Sequence, residues 1–336
     1  MQAEKSYRSF GEQALHYFIR DHNTVPTGSV SSPADWRGAD MRTRSDEWFE
    51  LLTADEVAEV KAAVDALIAR DVQMDDVTRE NFSLPTLASR IASWRQEIET
   101  GRGFVAVRGL PVLDWGDDFS AYAYWGIGHH LGVPGAQNPQ DELLGHVTNY
   151  GEEGDNAIVR RYRTSGNIDF HCDAADAVGL MCLRAAKSGG QSRIVSSVAI
   201  FNALVAEHPD LVPRLFEPFQ LDRRDEERAG EAKYVDIAPC QMGLDGVLRT
   251  FYHSEYFRSA ARLPDVFIDD AAMRIMDFYD EKCLSLEFHL DMWLEPGDMQ
   301  FISNHTTLHS RTAYEDWPEP DRRRHLLRLW LSFDGR

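Results

Sequence analysis

From residue 146 onward the chain breaks into short β-like runs separated by polar loops, and this spacing constrains the fold more than any other feature. The runs cover 146–150, 168–173, 178–185, 191–197, 248–252, 299–304, 306–312 and 325–333. A doubly wound sheet would need a helix between successive parallel strands. Many short strands without that alternation predict a sandwich or jelly-roll barrel instead. The expected fold class is therefore mainly β with helical additions: a double-stranded β-helix (jelly-roll) core flanked by N-terminal helices.

The helices are read from apolar residues at helical spacing. One begins behind the capping candidate Thr53 and runs to about residue 70, a second covers 84–100, and a third covers 118–132 with Gly132 at its end. A β-like run, 103–112, separates the second from the third, and shorter helices interrupt the strands near 198–207 and 269–283. Residues 1–50 are polar and carry Pro26, Gly28 and Pro33, so they read as a loosely structured leader wrapped on the domain, without chemistry of their own. With no linker and no internal repeat, residues 1–102 form a leader and helices packed on a catalytic core of 103–336, a single structural domain overall.

Composition limits the partners. Hydrophobic residues at 43% and charged residues at 27% suit a globular core. A formal net charge of −20 repels phosphate backbones and anionic headgroups, so neither nucleic acid nor membrane is expected, and the partner is a small-molecule substrate. Any anionic ligand must then meet local positive charge, and arginines concentrate at Arg322, Arg323, Arg324 and Arg328. Cys172, Cys182, Cys240 and Cys283 form no C-x-x-C pair, and the start of the chain lacks an apolar run. Reduced thiols and a cytoplasmic address follow. The helix from Thr53 can face the core or a second subunit, which leaves a homo-oligomer open.

Two elements carry chemistry. His171 and Asp173 stand two residues apart, so on an extended strand both project from one face. Far downstream, 297–311 reads as a turn, a strand, a short loop and a second strand bearing His309. Two histidines and a carboxylate on one barrel face leave coordination positions open, as a non-haem iron oxygenase requires. The same ligands also suit zinc with an activated water, and an H-x-D triplet alone arises by chance in many chains. His305 competes with His309 if 305–309 is helical; its β-like surroundings make it a loop hydrogen-bonder. His129, His130, His253, His289 and His325 lack a carboxylate at ligand spacing and read as structural. The segment 324–333 alternates, with Arg324, Arg328, Trp330 and Ser332 on one face and His325, Leu327, Leu329, Leu331 and Phe333 on the other. A buried guanidinium needs an anion, and its planar fork matches a carboxylate.

Taken together, His171-Cys-Asp173, Lys187-Ser-Gly189-Gly190-Gln-Ser192, Pro296-Gly297-Asp298, Asn304-His-Thr-Thr-Leu-His309 and Arg324-His-Leu-Leu-Arg328 resemble the TauD/TfdA-like family of iron(II)/2-oxoglutarate dioxygenases, in the family's order over about 103–333. The resemblance implies Fe(II), 2-oxoglutarate and O2 as cofactor and cosubstrates. It implies His171, Asp173 and His309 as iron ligands, Ser192 and Arg324 at the distal carboxylate of 2-oxoglutarate, and Arg328 at cosubstrate or substrate. The interval from His309 to Arg324 is longer than in taurine dioxygenase, which makes Arg323 a rival anchor. Asn167 matches a substrate-contacting position, and Tyr150 and Tyr162, with Arg160, Arg161 and Arg163, lie where a pocket wall is expected. Hydroxylation of an unactivated C–H bond with release of succinate and CO2 is the implied reaction; Asp173 fills the position that related halogenases leave as Ala or Gly. A zinc hydrolase on the same ligands and a non-catalytic jelly-roll binding protein are the alternatives.

Overall fold

The computed structural model describes residues 7–22, 25–138, 140–151, 163–225, 227 and 230–333. Two sheets form a jelly-roll. The larger orders Phe49–Leu51, Phe104–Arg108, Met299–Ser303, Ala177–Arg184, His325–Ser332 and Val133–Gly135, and Gly145–Thr148 also pairs with His325–Ser332. Its first pair is parallel and the rest antiparallel. The smaller, antiparallel throughout, orders His289–Met292, Ser192–Ser196, Thr307–Arg311 and Ile168–His171.

Period-2 patterning assigns each strand face to a layer. Leu327, Leu329 and Leu331 point away from the smaller sheet and bury against the helices Ala54–Ala69, Leu87–Glu99 and Asp117–Leu131. The opposite face supplies Phe104, Val178, Ile302 and Trp330, which meet Ile194, Leu290 and Met292 of the smaller sheet in the inter-sheet core. Behind the smaller sheet, Val195 and Leu308 pack on Ser197–Glu207 and Asp270–Leu284.

Caps fix where the helices begin. Thr53 and Glu56 form a reciprocal box, Thr53 N–H donating to Glu56 Oε2 at 2.8 Å and Glu56 N–H to Thr53 Oγ1 at 3.2 Å. Asp269 caps Asp270–Leu284 through Ala272 N–H at 2.8 Å.

The leader has more structure than its composition predicts. Ser9 and Glu12 form a second capping box, and Phe10–Phe18 is a helix that contributes Phe10, Ala14 and Phe18 to the lining of the main cavity. Among the described residues no helix is long and apolar enough to cross a membrane. All four cysteines are free and buried.

Candidate active site

Strand pairing builds the centre. Thr307–Arg311 places His309 directly opposite His171, so the two rings stand 4.2 Å apart between centroids. The register shifts between His309 and Arg311, an irregularity of the kind that re-aims side chains beside a site. The strand ends at His171, earlier than the alternation predicts, and Asp173 lies in the loop beyond. Cys172 N–H donates to Tyr252 O at 2.9 Å, which draws the chain out of the sheet. Asp173 N–H then donates to Asn304 Oδ1 at 3.1 Å, and Trp330 Nε1 donates to Asp173 Oδ2 at 3.0 Å.

The result is a compact donor set. Asp173 Oδ2 is 3.6 Å from His309 Nε2, and Oδ1 is 3.9 Å from His171 Nε2. One donor atom from each residue lies within 4.8 Å of the others, a group that can hold a metal ion. His171 Nδ1 donates to the Asp169 carbonyl at 2.8 Å, which leaves Nε2 with its lone pair. Burial, followed by the neighbouring His309 ring, pushes His171 down to about 4, so the imidazole is neutral at pH 7. Burial alone would raise Asp173, but the neighbouring His309 ring and the positive charge of Arg328 outweigh it and hold the carboxyl well below its usual range. A neutral imidazole beside an ionised carboxylate is the state in which these groups ligate, so the residues present fit a divalent cation.

The donors open into a cavity of about 660 Å³, which also takes in two buried guanidinium groups. Arg324 is 5% exposed and its Nη1 has no hydrogen-bond partner among the described residues; Arg323 is exposed and lies outside the lining. Sequence reasoning gave Arg311 no role, yet it is equally buried. Its Nη2 donates to Thr164 O at 2.9 Å and to Gly166 O, while Nε and Nη1 have no partner among the described residues. Both guanidinium carbons lie close to the Tyr314 ring, at 4.8 Å for Arg311 and 5.0 Å for Arg324. Burial, then the charge of Arg324, pushes Arg311 down to about 10. Two like charges at such depth call for an anion between them. The signal for Arg311 was its parity with His309, two residues away on one strand.

The paired glycines seen in the sequence make this end possible. Gly189 and Gly190 have φ of 72° and 75°, a region that favours glycine. A Cβ on Gly189 would collide with the Ala313 carbonyl, and one on Gly190 would stand 3.0 Å from Arg324 Nε. Ser192, also in the lining, donates its hydroxyl to Gln300 Oε1 at 2.7 Å. Reversing the Gln300 amide keeps that contact with nitrogen as donor and frees the hydroxyl proton for an anion. Arg328 lines the cavity and donates from Nε to Gln137 Oε1 at 2.6 Å.

Other expected residues fall elsewhere. Asn167 is exposed, its amide donating to Asp169 Oδ1 at 2.8 Å, and Tyr150 is half exposed beneath the Arg163 guanidinium. Neither lines the cavity. Both stand outside the strand Ile168–His171, where alternation no longer dictates direction. Tyr162, with Arg160 and Arg161, lies outside the described residues. His305 is turned away from the donor set, hydrogen-bonded through Nε2 to Asp176 Oδ1 at 2.8 Å and stacked on Tyr17.

The lining also contains residues that spacing did not reveal. Phe10 and Phe18 reach it from the leader, which read as having no chemistry. His253, read as structural, stands with its ring 5.0 Å from His171 and 3.9 Å from Tyr256. Burial, then the charge of His171, pushes His253 well below its ordinary value. No local pattern marks these positions, because only tertiary folding brings them to the donors.

Comparison with known proteins agrees with this architecture. The family model described as "Taurine catabolism dioxygenase TauD, TfdA family" matches residues 69–330. FR-33289 synthase of Streptomyces rubellomurinus is 29% identical over 314 residues, covering 91% of each chain. The taurine hydroxylase-like protein SAT17 of Stachybotrys chartarum is 29% identical over 317 residues, 90% of this chain and 79% of its own. Asparagine oxygenase, solved with Fe(II), 2S,3S-3-hydroxyasparagine and succinate, superposes with a TM-score of 0.68 at 18% identity, covering 85% of this chain and 93% of that one. The non-heme iron oxygenase OrfP, solved with Fe and alpha-ketoglutaric acid, gives 0.62 at 17% identity, covering 85% and 94%. These two structures establish the shared fold.

Proposed function

We propose, because the chain belongs to the taurine catabolism dioxygenase TauD, TfdA family, that it is an iron(II)- and 2-oxoglutarate-dependent dioxygenase hydroxylating an unactivated C–H bond of a small molecule. One observation carries the reading: the donors His171, Asp173 and His309 share a cavity with two buried guanidinium groups, Arg311 and Arg324. A ligand that chelates a metal through an oxoacid and ends in a carboxylate satisfies both features at once. The solved complexes of asparagine oxygenase with succinate and of OrfP with alpha-ketoglutaric acid support the same ligand class.

In this reading His171, Asp173 and His309 hold the iron. Arg324, Arg311 and Ser192 take the distal carboxylate of 2-oxoglutarate, and Arg328 orients cosubstrate or substrate. Iron(II) with 2-oxoglutarate and O2 supplies the oxidising power, and the oxoacid leaves as succinate and CO2. The protein's share is positioning: the Asp169 carbonyl holds the His171 tautomer, Trp330 and Asn304 hold Asp173, and Phe10 and Phe18 keep bulk water from the wall above them. The buried free thiols suit a reducing compartment, and we assign the enzyme to the cytoplasm.

The test is anaerobic addition of iron(II) and 2-oxoglutarate to the purified protein. A weak visible absorption band should form and disappear on admitting air, with succinate released. Asp173→Ala should abolish both band and succinate. Failure to form the band, or turnover that proceeds equally without O2, would refute the reading, the second outcome pointing to a hydrolase.

A further inference from the structure

A further guanidinium enters the cavity and shares no partner with Arg311 and Arg324. Arg224 follows the strand Phe219–Asp222 and is 5% exposed. Its φ is 53°, a left-handed conformation that costs a non-glycine residue free energy and persists only where its surroundings enforce it. They do so here: Arg224 N–H donates to Asp222 Oδ1 at 2.9 Å, and Asp222 is gripped by Arg262 through contacts of 2.7 and 2.9 Å. The guanidinium carbon lies 3.9 Å from the centroid of the Tyr256 ring. One terminal nitrogen pairs with Glu255 Oε1 at 3.1 Å, while the buried Nε has no partner among the described residues.

Tyr256 touches His253, and His253 touches His171. An unbroken series of ring contacts therefore runs from a candidate metal ligand to Arg224 along the cavity wall. Charge along the lining is inverted relative to the protein as a whole. Among the described residues the lining holds five guanidinium groups against four carboxylates, Asp173, Asp222, Asp236 and Glu255; Asp222 pairs with Arg262 and Arg223 with Glu231 from outside it, so guanidinium exceeds carboxylate in a chain of net charge −20. Such a local field concentrates anions. Glu255 meets the fork at one terminal nitrogen; an oxyanion accepts from Nε and a terminal nitrogen together.

We propose that Arg224 determines substrate specificity by anchoring an oxyanion of the substrate, which takes the Nε edge of the guanidinium in competition with Glu255. This rests on the oxygenase reading, because it takes the His171 end of the wall as the place of reaction. The substrate is then a small molecule whose carboxylate, phosphonate or sulfonate sits at Arg224 while a C–H bond further along faces the donor set.

The experiment is calorimetric titration of the chain loaded anaerobically with iron(II) and 2-oxoglutarate. The probes are butanoate, propylphosphonate, propanesulfonate and neutral 1-butanol. At least one oxyanion should bind and 1-butanol should not; which one binds identifies the headgroup. Arg224→Gln should weaken that binding about ten-fold or more, and Glu255→Gln, which removes the competitor, should tighten it about three-fold. A merely structural ion pair would give no such gain. Binding by none of the oxyanions, equal binding of 1-butanol, unchanged affinity in Arg224→Gln, or weaker binding in Glu255→Gln overturns the inference. A missing absorption band in the parent protein refutes the oxygenase reading and this inference with it; a normal band without Arg224-dependent binding refutes this inference alone.

Discussion

Trp330 Nε1 donates to Asp173 Oδ2 at 3.0 Å, tying the strand His325–Ser332 of the larger sheet to the loop that follows Ile168–His171 of the smaller one. The carboxylate is thereby held by a group that packs in the inter-sheet core. Trp330→Phe keeps most of the apolar ring and deletes the donor. Iron(II) affinity, measured by anaerobic titration, should fall about ten- to a hundred-fold, for a stability loss of about 1–2 kcal/mol. An unchanged affinity would mean that the indole N–H does not orient the carboxylate.

The two guanidinium groups near Tyr314 should respond as a unit. Arg324→Gln is expected to raise the KM for 2-oxoglutarate about a hundred-fold and Arg311→Gln about ten-fold, because Arg311 also serves the Thr164 and Gly166 carbonyls. The double variant should lose less than the product of the two, since either cation alone is a poor clamp. Steady-state kinetics with 2-oxoglutarate as the varied substrate decide it; multiplicative losses would show two independent sites.

How much of this was legible in the sequence depends on the range of the interaction. The strand His325–Ser332 was readable because alternation is local: Leu327, Leu329 and Leu331 bury against helices while Arg328 and Trp330 face inward. The same periodicity exposed His309, and the capping candidate Thr53 marked a helix start. Phe49–Leu51 and His289–Met292 were missed because three or four residues of mixed polarity carry no usable period. His253 and Arg224 were missed for a different reason. Both reach the cavity wall through an excursion between the strands Ser192–Ser196 and His289–Met292, which sets His253 beside His171 and Arg224 beyond Tyr256, and nothing within a few residues of either one records where that excursion folds. The leader helix had a local signature in Ser9 and Glu12, but its wall-forming Phe10 and Phe18 gain meaning only against the barrel.

Asp176 anchors that helix. It is 1% exposed and accepts from His16 Nε2 at 2.9 Å, His305 Nε2 at 2.8 Å, Phe333 N–H at 2.7 Å and Arg20. Asp176→Asn leaves the Arg20 charge without its carboxylate in a half-closed site and should cost about 3–5 kcal/mol in urea unfolding. Hydrogen exchange at residues 10–18 should accelerate more than exchange elsewhere. A loss below about 1 kcal/mol would place the cluster with ordinary surface pairs.

Acid should destabilise the metal-free protein in two stages. Burial, then His130, pushes His129 down to about 4, and burial, then His146 and Arg184, does the same for His325. His325 Nδ1 accepts from Arg184 Nη2 at 2.8 Å, so a proton there breaks a hydrogen bond. Unfolded imidazoles titrate near 6.5, so as pH falls the unfolded chain binds protons before the folded one. Stability is full above about pH 6.5 and declines toward pH 4, by up to about 1.4 kcal/mol per unit for each histidine. Burial opposes ionisation of Asp176, but the hydrogen bonds from His16 and His305 outweigh it and depress its carboxyl, which adds a second loss below about pH 4. Urea midpoints taken stepwise from pH 7.5 to 3.5 test this; a flat profile between pH 7 and 4.5 would contradict it.

Gly190 offers the sharpest separation of structure from function at the Arg324 end of the cavity. At φ 75° an alanine is strained, and its Cβ would stand 3.0 Å from Arg324 Nε and 3.3 Å from Tyr314 Cβ. The arginine side chain can give way more easily than the sheet, so the strain should appear as a displaced guanidinium. Gly190→Ala is therefore expected to cost about 1–2 kcal/mol in unfolding free energy and to raise the KM for 2-oxoglutarate about ten-fold or more, with kcat changed far less. Adding 2-oxoglutarate should raise the melting temperature of the parent protein more than that of the variant, since only the parent holds the fork in place. If the variant loses stability but keeps its 2-oxoglutarate requirement, the glycine pair serves the turn alone and Arg324 does not depend on it.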